Sequence, residues 1–358
     1  MTSSFSTMTS RERVLAAIAL QPVDRIPTDL WATPEVWDML RARFGSTTEV
    51  CAALHIDGFA GLEPRYVGPP LPEVATGENV DFWGIRTTRV TYVGGAYQEQ
   101  SFCPLAAAET IDDLARYPWP QVAWFDFSTL PEVARAARRT HAIQCGYMAP
   151  FYQHILLRGL EQALLDPLER PEFTHELLQR ITAFLYAYHR RLFEVCEGLI
   201  DVAQVTDDLG SQHGPLISLE TYRTFYAPHH RRLIALCHEF GIKVLHHNDG
   251  AIRPFLPLLV EMGIDILNPV QWTCPGMEMS ALKRDFGGRL CFHGAVENQR
   301  ILPFGTPEDV RAEVRHCIDA LASDGTGYIL ASCHNLQPNT PLENIVAMYD
   351  EAYHYGKR

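Results

Sequence analysis

The chain reads as an α/β protein built on a single (β/α)8 barrel, and three observations point to that class. Strand-like apolar runs alternate with helix patterns from about residue 130 onward. Glycines fall just past the last apolar position of several of those helices. Successive strand-like runs end in clusters of polar residues, as the C-terminal ends of barrel strands do. Apolar strands separated by helices imply a parallel sheet. A doubly wound open sheet is the second architecture this pattern allows. The length of 358 residues, 47% hydrophobic, suits one large barrel or two ordinary domains.

Residues 1–8 are expected to form a disordered tail and 9–358 the barrel. Thr9 and Glu12 have capping-box spacing and open a helix that Pro22 and Pro27 stop. Residues 26–31 read as a short strand, and 34–44 as a helix closed by Gly45. Over 64–104 the pattern changes. Residues 86–92 alternate, Val93-Gly94-Gly95 supplies a turn, and 96–102 alternate back, which predicts a β-hairpin inserted early in the barrel. Further strands are expected at 141–147, 199–206, 243–247, 265–270, 290–293 and 327–331. Helices are expected at 171–196, 219–240, 252–262, 280–286 and 307–321. In the first of these, Phe173, Leu177, Ile181, Phe184, Tyr188, Leu192 and Val195 recur at three- and four-residue steps.

Composition excludes several classes. With 30 basic against 43 acidic residues the formal charge is −13, which offers no field for nucleic acid. No apolar run reaches membrane-spanning length, and the polar first ten residues are no secretory signal. The nine cysteines are scattered without a Cys-x-x-Cys, the usage of a reducing, cytoplasmic compartment. Glycine-rich dinucleotide and Walker loops are both missing.

Five successive strands end in residues able to ligate a metal or move a proton. They are Asp207 and Asp208; His246 to Asp249; Asn268 and Gln271; His293 and Glu297; and Cys333, His334 and Asn335. His247 and Asp249 stand two residues apart, on one side of an extended segment. With His334 they make two imidazoles and a carboxylate, a workable set for zinc or ferrous iron. The bland alternative makes His247 a packed core histidine and Asp249 a helix cap. Cys333 is a competing ligand, but alternation turns its side chain away from that of His334. His229-His230-Arg231-Arg232 reads as a solvated helix face. Asp208 and Glu297 are the candidate fourth ligands or proton donors. Trp31, Tyr147, Asp207, Gln271, Trp272, His293 and Asn335 are candidate substrate contacts.

Several runs resemble the uroporphyrinogen decarboxylase-like superfamily: Asp207-Asp208-Leu209-Gly210, His247-Asn248-Asp249-Gly250 with Arg253-Pro254, Asp265-Ile266-Leu267-Asn268-Pro269, Phe292-His293-Gly294 and His334-Asn335-Leu336-Gln337-Pro338. The resemblance implies a (β/α)8 barrel. It also implies one of two activities. True decarboxylases carry an arginine-rich N-terminal motif that grips porphyrinogen carboxylates; the corresponding Asp29-Leu30-Trp31-Ala32-Thr33-Pro34 has no arginine. The other branch holds zinc-dependent methyltransferases that work with a corrinoid protein and use a His-x-Cys motif and a later Cys. Aligned on that motif, His247 matches the family histidine, while Asp249 and His334 stand where the two cysteines would. A site without thiolates is harder and suits polarising an oxygen rather than activating a thiol.

The resemblance therefore implies a metal-dependent methyltransferase that takes a methyl group from a small O-methyl substrate. The acceptor would be the cobalt of a separate corrinoid (cobalamin) protein, since the chain has no cobalamin motif of its own. A metal-assisted decarboxylase of a small acid is the alternative. A non-haem iron oxygenase and a non-enzymatic binding subunit stand further back. A homodimer is expected from the resemblance.

Overall fold

The computed structural model describes residues 7–92 and 95–358. Seven parallel strands follow one another in chain order: Phe59–Leu62, Ala142–Met148, Val202–Val205, Lys243–His247, Ile266–Asn268, Cys291–Val296 and Tyr328–Ser332. Residues 27–29 close the ring. Asp29 N–H donates to Leu330 O and Leu330 N–H to Pro27 O, both at 2.9 Å. On the other side Thr28 O accepts the N–H groups of Asp57 and Gly58, each at 3.0 Å. The strand expected at 26–31 is present only as an isolated parallel bridge, Thr28 to Leu330, between the last strand and residues 57–58. Its register is fixed by fully buried Asp57, which accepts Thr28 N–H at 3.1 Å and pairs with Arg13 and Arg25.

Local chemistry accounts for the elements around the ring. Ser10–Ile18 starts at the Thr9–Glu12 capping box, and Pro34–Phe44 has proline in its first turn, where no N–H is needed. Pro171–Val195 buries Phe173, Leu177, Ile181 and Leu192 on one face, the spacing of an amphipathic helix. Among the described residues no helix is long and apolar enough to cross a membrane.

The structure differs from the sequence pattern in places. Residues 219–239 are helical throughout, as expected, but Tyr222–Tyr226 form a π-helical turn between Leu219–Thr221 and Ala227–Glu239. Pro228 has no N–H to give and crowds the preceding turn, so the ladder widens there. The helix expected from 252 starts at Leu256, past Pro254, whose ring disfavours helical geometry at Arg253. Gly263 caps its helix in the left-handed region as expected (φ 102°), but Gly287 has φ −62° and does not. The Phe59–Leu62 strand carries no sequence signal, being four residues long with a glycine inside.

Outside the barrel, Glu78–Val80, Arg86–Tyr92 and Gly95–Phe102 form an antiparallel sheet. The turn expected at Val93-Gly94 lies outside the described residues. So do residues 1–6 of the expected disordered tail, whereas Met8 N–H is held by Asp24 at 2.8 Å. Tyr92 Oη donates to Gln337 Oε1 at 3.0 Å, so this sheet rests on the loop that carries His334.

Candidate functional site

His247, Asp249 and His334 come together at the C-terminal end of the barrel, each offering a ligand atom within 4.8 Å of the others. Asp249 Oδ2 lies 3.6 Å from Nε2 of His247 and 3.6 Å from Nε2 of His334. Ligand bonds of about 2.0–2.1 Å in a tetrahedral site imply donor separations of roughly 3.3–3.4 Å, so both Asp249 separations stand close to metal-binding distance.

The backbone fixes that approach. A Cβ on Gly210 would sit 2.2 Å from Asp249 O, and one on Gly250 (φ +81°) 2.5 Å from Ser211 O. The two glycine turns therefore lock backbone to backbone, with Ala251 N–H donating to Ser211 O at 2.9 Å. This sets Asp208 beside Asp249 and explains why Asp208-Leu209-Gly210 and Asp249-Gly250 each need their glycine. Gln271 Oε1 holds the second turn by accepting Gly250 N–H at 2.8 Å.

A hydrogen-bond chain orients His247. Its Nδ1 lies 2.6 Å from Asn268 Oδ1, which can only accept, so Nδ1 carries the proton and Nε2 is left for a ligand. Asn268 Nδ2 donates to His293 Nδ1 at 2.6 Å, and His293 Nε2 donates to Asp29 Oδ2 at 3.0 Å. These residues stand at one level of the barrel because Asn268 pairs with His247 in parallel register.

The charges call for a cation. Burial depresses the pKa of His247, but hydrogen bonding and charge from Asp249, with help from Asn268 and Asp208, outweigh it and hold it above the usual value. Burial raises Asp249, yet His247 and His334 bring it below the ordinary carboxylate range. Burial lowers His334. Burial lifts Asp208 to about 6; His247 opposes the lift, while Asp249 and Asp207 add to it. Asp208 Oδ1 is buried without a hydrogen-bond partner, 3.9 Å from His247 Nε2. An orphaned carboxylate oxygen facing a ligand histidine fits a fourth ligand or a proton carrier.

Next to this cluster is a cavity of ≈ 800 Å³. Trp31 borders both, its ring 5.7 Å from that of His247. Tyr147 does too: burial and the charge of Asp208, then of Asp207 and Asp249, push its phenol well up. Aromatic faces (Phe59, Trp83, Phe184) and amides (Gln144, Gln204) make up much of the wall, and among the lining residues there is no Lys or Arg.

Other expected site residues have different roles. Asp207 is 1% exposed and accepts the N–H groups of Phe151 (3.0 Å) and Tyr152 (2.7 Å), so it caps the Pro150–Arg158 helix and pairs with His230 instead of meeting substrate. Glu297 accepts the N–H groups of Gln299, Arg300 and Ile301 and is spent on that turn, not on proton transfer. His293 is fully buried and acts through Asn268. Trp272 Nε1 donates to Glu313 at 3.0 Å, outside the cavity wall. Gln271 serves the Gly250 turn, and half-buried Asn335 is not among the lining residues. Cys333 is buried with Sγ toward Val270 O, away from the cluster. His230 is buried against Tyr222 and Thr206, so its helix face is not solvated there. Asp29 and the cavity-wall amides Gln144 and Gln204 are the participants that residue type alone did not single out.

Residues 105–355 match the family model for uroporphyrinogen decarboxylase (URO-D). The chain belongs to the uroporphyrinogen decarboxylase family. Among curated family members, a methylated-thiol–coenzyme M methyltransferase of Methanosarcina mazei is 29% identical over 203 residues, which is 56% of this chain and 49% of that protein. A uroporphyrinogen decarboxylase of Legionella pneumophila is 25% identical over 187 residues, 51% of this chain and 48% of that protein. The chain thus spans about half the length of the curated relatives it matches. A solved methyltransferase from Methanosarcina mazei superposes with a TM-score of 0.68 at 18% identity, covering 97% of this chain and 99% of that one, which establishes the shared fold.

Proposed function

We propose that this URO-D family member is a metal-dependent methyltransferase that removes a methyl group from a small O-methyl substrate. The observation that carries the reading is the ligand set itself: His247 Nε2, tautomer-fixed by Asn268, facing Asp249 and His334 beside an aromatic cavity. The similarity to a methylated-thiol methyltransferase supports the reaction class. The donor chemistry shifts the substrate from sulfur to oxygen. Zinc, or another divalent ion, would be held by His247, Asp249 and His334, with Asp208 nearby. When bound it would supply Lewis acidity at the leaving heteroatom.

The chain's own residues do the rest. Asn268 keeps the His247 proton on Nδ1. Asp208, which burial lifts to about 6, would be protonated in a minor fraction near neutral pH and could deliver that proton to the leaving oxygen. Trp31 and half-exposed Tyr147 stand on the cavity wall on the side of the cluster, where they would orient the substrate's methoxy group. The methyl group would pass to the cobalt of a corrinoid on a separate protein docked over the barrel mouth.

The test is methyl transfer from methoxylated compounds to cob(I)alamin by the zinc-loaded protein, followed spectrophotometrically. Methylcobalamin formation that disappears on chelation supports the reading; none with metal present sinks it. The alternative, decarboxylation of a small acid, would release carbon dioxide without an acceptor. The absence of Lys and Arg from the lining residues weighs against an acidic substrate.

A further inference from the structure

Two polar side chains on the cavity wall have unmet hydrogen-bonding needs. His189, on the Pro171–Val195 helix, is 2% exposed, and Gln153, on the Pro150–Arg158 helix, is 8% exposed; both line the cavity. His189 Nε2 and Gln153 Nε2 are buried and have no partner. The tautomer of His189 is decided: its Nδ1 lies 2.7 Å from Leu185 O, which can only accept, so Nε2 is a bare lone pair. Burial holds this imidazole at about 4, so it stays neutral at pH 7. Gly146, also on the cavity wall, leaves room at this ring edge: a Cβ there would stand 3.1 Å from His189 Nε2.

We propose that His189 and Gln153 form a hydroxyl-binding subsite, and that the cavity takes a neutral, ring-sized methoxylated compound with a free hydroxyl. This deepens the methyltransferase reading and rests on it for the methoxy group. The chemistry disfavours carboxylates, ethers and ammonium groups. A carboxylate or ether oxygen has no proton for the His189 lone pair. An ammonium has no lone pair for the Gln153 amide N–H. A hydroxyl donates to the first and accepts from the second. An anion would also meet Glu63 and Asp81 on the wall with no lining Lys or Arg to offset them.

Binding to the full-length protein, read by quenching of Trp31 and Trp83 fluorescence, tests this without any methyl acceptor. The probes are 2-methoxyphenol, methoxybenzene and 2-methoxybenzoate. The expected order is 2-methoxyphenol tightest, methoxybenzene about five- to tenfold weaker, and the benzoate weakest. His189→Leu and Gln153→Leu, each checked by thermal melting, should bring the first two probes to within about twofold of each other. Equal binding of the two by the unmodified protein, as a resident water would produce, overturns the subsite. So does preference surviving in both variants, or no binding of either compound. If one variant fails to fold, the other and the three-probe comparison still decide. Discriminating binding with no methyl transfer to cob(I)alamin leaves the subsite standing and removes the methyltransferase reading. Methyl transfer at equal kcat/KM from both neutral probes does the reverse.

Discussion

Asn268 Oδ1 stands 2.6 Å from Nδ1 of His247, and that contact decides which imidazole nitrogen is free to act as a ligand. Asn268→Leu removes the acceptor, lets the ring rotate or change tautomer, and also strands His293. Partners of this kind are worth about 10–100-fold in metal affinity. A chelator-competition titration with zinc should show a loss in that range, while His247→Ala, Asp249→Ala and His334→Ala each lose more. Unchanged affinity in Asn268→Leu would mean that His247 is not a ligand through Nε2.

Metal removal should be visible in stability as well as in activity. A ligand present at a hundred times its Kd stabilises the folded state by about 2.7 kcal/mol. Chelation should therefore lower Tm by several degrees, and added zinc should restore it. The triple variant lacking His247, Asp249 and His334 should show no zinc-dependent shift; a full shift there would put the metal elsewhere.

Gly210 and Gly214 lie four residues apart but differ sharply in what surrounds them. A Cβ at Gly210 meets Asp249 O at 2.2 Å, whereas nothing lies within 4 Å of one at Gly214. Gly210→Ala must push the two turns apart, at a cost of about 2 kcal/mol or more, and should weaken zinc binding with it. Gly214→Ala should stay within about 0.5 kcal/mol. Urea denaturation of the pair, with zinc titrations, reads both effects.

Much of the site is legible in the sequence. His247, Asp249 and His334 could be chosen because strand ends in a barrel converge on one face, so residues far apart in sequence share a site. The capping box at Thr9 and the proline-led helix at Pro34 are local signals, and they held. The errors share a cause. Chemical type alone marks Asp207, Glu297 and Gln271, and each accepts backbone N–H groups that only the fold brings near it. Asn268 and His293 lie at the His247 level of neighbouring strands, a relation of register that a single sequence does not show. The Phe59–Leu62 strand was missed because four residues with a glycine have no readable period, and its pairing with Ala142–Met148 comes from the ring.

Buried neutral histidines make the fold acid-sensitive in a definite window. His189 is held at about 4 and His246 at about 3, in both cases chiefly by burial. Above pH 6.5 these side chains are neutral whether the chain is folded or not, and they add no pH dependence. As pH falls below 6.5 the unfolded chain takes up protons that the folded state refuses. Stability then drops by about 1.4 kcal/mol per pH unit for each histidine, down to its folded value. Urea midpoints between pH 7 and pH 5 should reveal this slope, and His189→Leu should reduce it by about one histidine's share. A slope unchanged by that variant would mean His189 is protonated in the folded protein.

Asp207 and Asp208 are adjacent in sequence and should respond oppositely to the same change. Asp207→Asn weakens the hydrogen bonds to the Phe151 and Tyr152 N–H groups and the contact to His230, all buried, and should cost about 1–3 kcal/mol. Zinc affinity should stay within about twofold, because neither Asp207 oxygen faces the metal cluster. Asp208 is instead a carboxylate whose pKa burial has raised, with one oxygen unpaired. A group with a raised folded pKa is disfavoured in its charged form at pH 7, so Asp208→Asn should stabilise the metal-free protein. It should also weaken zinc binding about tenfold or more if that oxygen completes the ligand set, and slow methyl transfer if it carries the proton. Melting curves with and without zinc for the two variants separate the roles: a loss of stability confined to Asp207→Asn and a loss of zinc response confined to Asp208→Asn. The reverse pattern would move the working carboxylate one residue back along the chain, onto a side chain that now holds a helix end.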